Sequence, residues 1–399
     1  MTEATPQLDT FPMERERAFD PPDLLTHWRE EAPIRPLTFA DGHEGWIVTG
    51  YAPARAILAD SRFSSRPELM HSPIPERSAR LQSFIVPPGF FIRMDEPEHT
   101  RYRRLLTGQF TVRRMRLLEP RIEEITRDHL DAMERQGPPA DLVRDFALPI
   151  PSLVICELLG VPYDDREKFQ RDSAVLLRLG SSVDQITAAM ADLLTYLHDL
   201  VMRKMKEPAD DLLSGLIAGG ELTDRELAGI GLLLLVAGHE TTANMLALGT
   251  FALLSNPPQM AALRRDPTLI QNAVEELLRY LSIVHLGPIR TALEDVEIDG
   301  HLIRTGQSVL LALTAANRDP GRFEGADTLD VSRSAQGHLA FGHGIHQCLG
   351  QQLARVEMRI GYPALLARFP GLALAVPADQ VPMRTDMAIY GVHRLPVTW

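Results

Sequence analysis

Residues 227–254 form a run so uniformly apolar that a helix built from it has no polar face to turn toward water. A stretch of roughly 20 apolar residues is long enough to span a bilayer. Here, however, His239, Glu240 and Asn244 stand in the middle of the run, and Asp224, Arg225 and Glu226 precede it with no basic excess. The run is therefore expected to pass through the centre of a large soluble core, with other helices on every side. The chain can supply that core, with 399 residues that are 45% hydrophobic and 24% charged. Such a composition excludes a disordered chain or a fibre. A net charge of -12 argues against nucleic acid as a partner. Two cysteines, Cys156 and Cys348, are too few for a disulfide framework and suit a reducing cytoplasm. The polar first twenty residues carry no signal-peptide pattern or membrane anchor, so a cytoplasmic protein is expected.

Helical periodicity dominates from residue 98 onward. It predicts helices at 101–109, 113–136, 151–159, 166–179, 186–205, 224–255, 257–266, 269–281 and 349–369, after an earlier one at 51–59. Strands are expected at 45–49, 295–298, 301–303 and 308–313. Residues 73–88 read as a proline-punctuated loop holding Phe84, Ile85 and Val86, of a length that usually serves binding. No repeat, low-complexity segment or linker interrupts the chain. A single domain over 1–399 is expected, mainly α with an α+β admixture of small sheets toward the rim.

The most informative stretch is 338–350, HLAFGHGIHQCLG. Gly342, Gly344 and Gly350 surround Cys348 and let the backbone approach a flat ligand closely. A cysteine just before a helix is favoured as thiolate by the helix dipole and free N–H groups. A buried thiolate with close backbone access meets the needs of an axial haem ligand. A structural cysteine is the competing reading, and it suits Cys156 within LVICELL. Zinc is another, given His338, His343 and His346 nearby, but the paired Cys-x-x-Cys spacing of zinc sites is absent.

At these residues the sequence closely resembles the cytochrome P450 family. The pattern Phe-Gly-x-Gly-x-His-x-Cys-x-Gly falls on Phe341, Gly342, Gly344, His346, Cys348 and Gly350 without a departure. The resemblance implies a triangular helical prism with small peripheral sheets, and haem b as cofactor. It implies that Cys348 is the iron ligand, that Phe341 and Gly350 flank it, and that His346 bonds a propionate. Further matches follow in order. Glu276 and Arg279, one turn apart in VEELLRYL, look like the family's structural pair. Arg318 in AANRDP is taken as the third member, with Arg333 as the alternative. His99 and Arg103, four residues apart, and Arg290 resemble further propionate-binding positions. In AGHETT, Glu240 and Thr241 look like the acid and alcohol of the oxygen-activation motif. HETTA also begins like a zinc-protease helix, but Ala243 stands where the second histidine is needed.

The implied activity is monooxygenation: one atom of O2 enters a bulky apolar substrate of the polyketide or macrolide kind. No flavin or nicotinamide fingerprint is present, so electrons are expected from a separate ferredoxin and ferredoxin reductase. The alternatives are a haem-thiolate peroxygenase and a non-catalytic haem protein that binds ligands. Neither needs Glu240 and Thr241. Candidate pocket residues are Phe84, Ile85, Val86, Leu234, Ala237, Val284, Leu286, Ile289 and Ile389. A basic face of Arg101, Arg104, Arg113, Arg114, Arg116 and Arg355 is expected to dock the ferredoxin, and the enzyme is expected to act as a monomer.

Overall fold

The central element of the computed structural model is the helix Asp224–Leu254, 31 residues long. The structure describes residues 11–74, 77–78, 81–82 and 84–399. A reciprocal cap starts the helix: Glu226 N donates to Thr223 Oγ1 at 3.3 Å, and Thr223 N donates to the Glu226 carboxylate at 2.7 Å. Beyond the first turn nearly every residue to Leu253 is buried. Helices Pro149–Leu159, Val183–Lys206, Ile270–Leu281 and Gln351–Arg368 pack around it. Among the described residues it is the one helix long and apolar enough to cross a membrane, yet 78% of its most apolar window is buried within the protein. The apolar run builds the core, as its lack of a polar face requires.

The strands lie at the rim, and in chain order they are β1 Ile34–Thr38, β2 Glu44–Val48, β3 Phe63–Ser64, β4 Ala140–Asp141, β5 Ile289–Ala292, β6 Val296–Ile298, β7 His301–Ile303, β8 Ser308–Leu311, β9 Ala373–Leu374 and β10 Pro396–Thr398. The largest sheet runs β1-β2-β8-β5-β3, with β2 and β8 parallel and the other pairs antiparallel. Two smaller sheets, β4-β10-β9 and β6-β7, complete the set.

Most predicted helices appear within a turn of their expected bounds, Tyr51–Ala59 among them. Helix Glu98–Thr107 starts three residues before its expected position, directly after Pro97. Among the elements that were not expected are helices Asp23–Glu31 and Leu212–Gly219, and strands β1 and β5. LLSGLIAG carries two glycines and no clear period, and its helix is set by Asp211, whose carboxylate caps Ser214 N at 2.8 Å. Strand β5 is buried at all four positions, so it shows no alternation. The strand at 308–313 ends at Leu311, because Leu313–Ala316 turns helical.

Two glycines let segments of the site approach neighbouring backbone. A Cβ at Gly229 would lie 1.9 Å from Pro88 O, so the proline-rich loop sits directly on the central helix. A Cβ at Gly344, where φ is +72°, would lie 2.3 Å from Leu58 O, so the cysteine loop lies against the end of helix Tyr51–Ala59.

Candidate functional site

The cysteine loop is folded back on itself by short backbone bonds. Cys348 N donates to Phe341 O at 2.8 Å, Gln347 N to Gly344 O at 3.0 Å, and Gly342 N to Leu339 O at 2.8 Å. The positive φ of Gly342 and Gly344 makes this path available. Helix Gln351–Arg368 follows directly. Burial pushes the Cys348 thiol up, while N–H groups of Gly350 and Gln351 and the Arg103 and Arg355 guanidiniums pull it down.

Arg355 braces this loop. Its guanidinium meets Glu275 in a fork, at 2.6 and 2.9 Å, and lies 4.6 Å above the Phe341 ring. His338 Nε2 reaches the same carboxylate at 3.2 Å. Burial alone would raise the Glu275 carboxyl, but bonds from His338 and Arg355 outweigh it and hold the group at about 2. Arg355 is therefore engaged within the fold and does not belong to an exposed docking face.

Glu276 and Arg279 are both fully buried and form a fork, at 2.7 and 2.8 Å. Arg279 also donates to Asn317 O and Ala326 O, at 2.9 and 2.8 Å. The third member of the set is Arg333, whose Nε lies 3.1 Å from Glu276 Oε1. Arg318, the sequence-based choice, turns the other way. It stacks on Tyr280 at 3.7 Å, donates to Tyr280 O and Phe19 O, and pairs with Asp20 at 3.1 Å. Its neighbour Asn317 faces the set instead and accepts from Leu339 N at 2.7 Å, which ties it to the cysteine loop. Successive residues on a tight turn point in different directions, and AANRDP alone could not say which one faced inward.

Basic side chains converge beside the loop. The rings of His99 and His346 lie 4.2 Å apart, and both nitrogens of buried His99 lack a partner among the described residues. Arg103 donates to Gln347 O, which fastens helix Glu98–Thr107 to the cysteine loop. Arg290 is pulled down to about 10, first by burial and then by the neighbouring charge of Arg93. Burial also drives His346 down to about 2, helped by Arg290, His99, Arg103 and Arg93. Asp95 is the nearby acid, and its oxygens are taken by Ser64 Oγ and Ser65 N, at 2.5 and 2.7 Å. Buried positive charge without matching negative charge is costly. The two carboxylates of a haem would supply the match and give His99 its missing acceptor, so the residues present fit that group. Arg93 was not singled out in the sequence, where it is an isolated arginine in FIRMD.

The central helix offers a second accessible surface. Ala237 is exposed and Thr241 half-buried in the middle of an otherwise buried stretch, and Thr241 Oγ1 donates to Ala237 O at 2.8 Å. Glu240 points elsewhere, buried and paired with Arg384 at 3.0 Å.

The pocket candidates divide. Phe84 and Val86 are half-buried on the loop seated at Gly229, with Phe84 against Phe90 at 6.2 Å. Val284 and Ile389 pair across a β-bridge, and Leu234 lies one turn before Ala237. Ile85 is 88% exposed and is not drawn in with its neighbours. Leu286 and Ile289 are buried in a separate cluster with Leu25, Trp28, Ile47 and Leu310 of the large sheet, and serve as core. Arg101 and Arg104 are drawn to Glu226 and Glu221. Arg113, Arg114 and Arg116 stay exposed and make no ion pair among the described residues.

Comparison with known proteins agrees with this geometry. The family model for cytochrome P450 matches residues 209–393. Cytochrome P450 105C1 from a Streptomyces species is 54% identical over 400 residues, covering all of both chains. Pentalenic acid synthase of Streptomyces avermitilis is 48% identical, covering 98% of this chain and 97% of that one. Among solved structures, CYP105P1 in complex with filipin I superposes with a TM-score of 0.93 at 44% identity, over 98% of this chain and 99% of that one. The mycinamicin VIII C21 methyl hydroxylase MycCI of Micromonospora griseorubida does so with a TM-score of 0.91 at 38% identity, over 98% and 99%. The chain belongs to the cytochrome P450 family. It is a haem b monooxygenase.

Proposed function

We propose that this enzyme hydroxylates or epoxidises a bulky, apolar natural product of the polyketide or macrolide kind. One observation carries the reading. The loop bearing Phe84, Val86 and Phe90 is seated on the central helix at Gly229, eight residues, or about 12 Å, before the accessible Ala237. Large apolar side chains thus pack along the helix that presents the Thr241 hydroxyl, about 18 Å before it. The printed substrates of relatives, mycinamicin VIII for one, have the same character. A panel of macrolides, polyenes and small polar acids, titrated against the haem Soret band, tests it. Macrolides or polyenes are expected to shift the band, and shifts from the polar acids alone would overturn the reading.

In this reading Cys348 ligates the iron, while His99, Arg103, Arg290 and His346, joined by Arg93, hold the propionates. When bound, the haem supplies O2 binding and cleavage, and thiolate donation favours that cleavage. The chain's own contribution is orientation and proton handling. Glu240 takes up protons from solvent, and Thr241 holds the hydroxyl that passes them on. Thr241→Ala is expected to keep consuming NADH while product per NADH falls severalfold and hydrogen peroxide rises correspondingly. Unchanged product yield, measured with a surrogate ferredoxin, would point to Thr242, to the substrate itself or to a peroxygenase.

The whole chain, 1–399, acts in this reading as one haem domain, a cytoplasmic monomer reduced by a ferredoxin and its reductase. Arg113, Arg114 and Arg116 form its docking face, without Arg101, Arg104 and Arg355. Arg113→Glu is expected to slow ferredoxin-driven reduction severalfold at low salt, and less as screening increases. Peroxide-driven turnover and substrate affinity should stay at wild-type values. Equal losses in all three would assign the arginine to the fold.

A further inference from the structure

We infer that Arg384, on the C-terminal hairpin, is a positioning residue that sets how Glu240 passes protons toward Thr241. The inference rests on the reading of Glu240 as the proton-handling acid and extends it to a segment 144 positions away in the chain.

The hairpin is built to reach this acid. Met383 and Val392 pair as an antiparallel bridge, and Arg384 N donates to Gly391 O at 2.9 Å. Gly391 lets the hairpin close on the central helix, since a Cβ there would fall 2.0 Å from Asn244 Oδ1. From that seat one guanidinium nitrogen of Arg384 reaches Glu240 Oε2 at 3.0 Å. Asn244 Nδ2 donates to Glu240 O at 2.7 Å and lies 3.5 Å from Oε2. The two paired side chains are 11% and 6% exposed, so solvent does little to screen them.

The form of the contact matters. Arg355 grips Glu275 with two nitrogens, whereas Arg384 engages Glu240 through one, and its Nε has no partner among the described residues. A two-pronged fork fixes a carboxylate's orientation, but a single prong leaves it free to turn about the bond it keeps. Both contacts from Arg384 and Asn244 fall on Oε2, and Oε1 makes no hydrogen bond among the described residues. Glu240 is thus held at one oxygen and open at the other. The other titratable group at this point is His239, whose Nδ1 is engaged by Leu235 O at 2.7 Å. Its ring packs on Phe169, away from a relay role. A relay that takes one proton from solvent and gives one up returns to its starting state, and a cation at Oε2 keeps its carboxylate in place through both halves. Without Arg384 the acid would be buried beside His239 with no cation partner, and its delivery of protons should slow.

The test uses the haem-loaded enzyme with a surrogate ferredoxin and compares Arg384→Gln, Arg384→Lys, Glu240→Gln and the double variant Arg384→Gln/Glu240→Gln. Product per NADH, peroxide released and the solvent isotope effect on product formation are read, with substrate affinity from Soret titration as control. Arg384→Gln is expected to lower product per NADH severalfold and to raise the isotope effect, with affinity unchanged. Arg384→Lys, which keeps the charge at a different reach, should fall between Arg384→Gln and wild type, and it carries the test if Arg384→Gln does not accumulate. In the Glu240→Gln background the Arg384 change should add nothing, because its effect runs through the carboxylate. Wild-type coupling and isotope effect in both Arg384 variants, with Glu240→Gln impaired, would overturn the inference and leave the reading of Glu240 standing. Wild-type behaviour of Glu240→Gln would remove that reading, and the inference with it.

Discussion

Cys348→Ser is expected to give a folded protein whose reduced carbon-monoxide complex has lost its long-wavelength Soret band, with no monooxygenase turnover. The loop should survive the change, because its geometry rests on the backbone. Cys348 N to Phe341 O, Gly342 N to Leu339 O and the positive φ of Gly342 and Gly344 involve no cysteine side chain. What disappears is the sulfur toward which Gly350, Gln351, Arg103 and Arg355 direct positive charge. Serine replaces a polarisable thiolate by a hydroxyl that remains protonated and donates far less electron density. Absorption spectra and a thermal melt check both halves of the expectation. Retention of the band and of turnover would show that Cys348 is not the ligand.

Glu276→Ala should be nearly as damaging, by a different route. Arg279 is completely buried, and Glu276 is its sole carboxylate partner among the described residues. Removing one member of a buried pair leaves an uncompensated charge, at a cost of about 3–5 kcal/mol. That is a large part of the roughly 5–15 kcal/mol that keeps a domain folded. The same carboxylate also receives Arg333 Nε and Asp330 N, at 3.1 and 3.0 Å, so segment 324–333 loses its anchor too. Soluble, haem-loaded enzyme should fall to a small fraction of wild type, read as the Soret absorbance per unit protein. Arg318→Ala is the informative comparison. It releases Phe19 O and Asp20 at the N-terminal segment and leaves the Glu276 set intact, so haem content should persist with a lower melting temperature. If Arg318→Ala emptied the protein of haem and Glu276→Ala did not, the assignment of the third member would have to be reversed.

Much of the scaffold was legible because it is local. The 3.6-residue period of helices such as Tyr51–Ala59 and Val112–Gln136 comes from contacts within a few residues. The apolar run of the central helix specifies its own burial. The cysteine loop could be read because its glycines, histidine and cysteine are packed into thirteen consecutive residues, 338–350. What the sequence could not decide is which charges meet. Arg333 rather than Arg318 completes the set at Glu276, 57 positions distant. Arg355 is claimed by Glu275 and Arg101 by Glu226, so neither charge is left free as a list of arginines would suggest. Leu286 and Ile289 are as apolar as true pocket residues, yet they are buried in a separate cluster with Trp28 and Leu310. Arg384 reaches Glu240 because a hairpin ending in Gly391 can close on Asn244. Periodicity and spacing act over a turn or two of chain, and these decide the elements and the signature loop. The direction of a side chain at a turn, and the partner it finds across the core, depend on packing between segments far apart in sequence, and only the tertiary structure contains that.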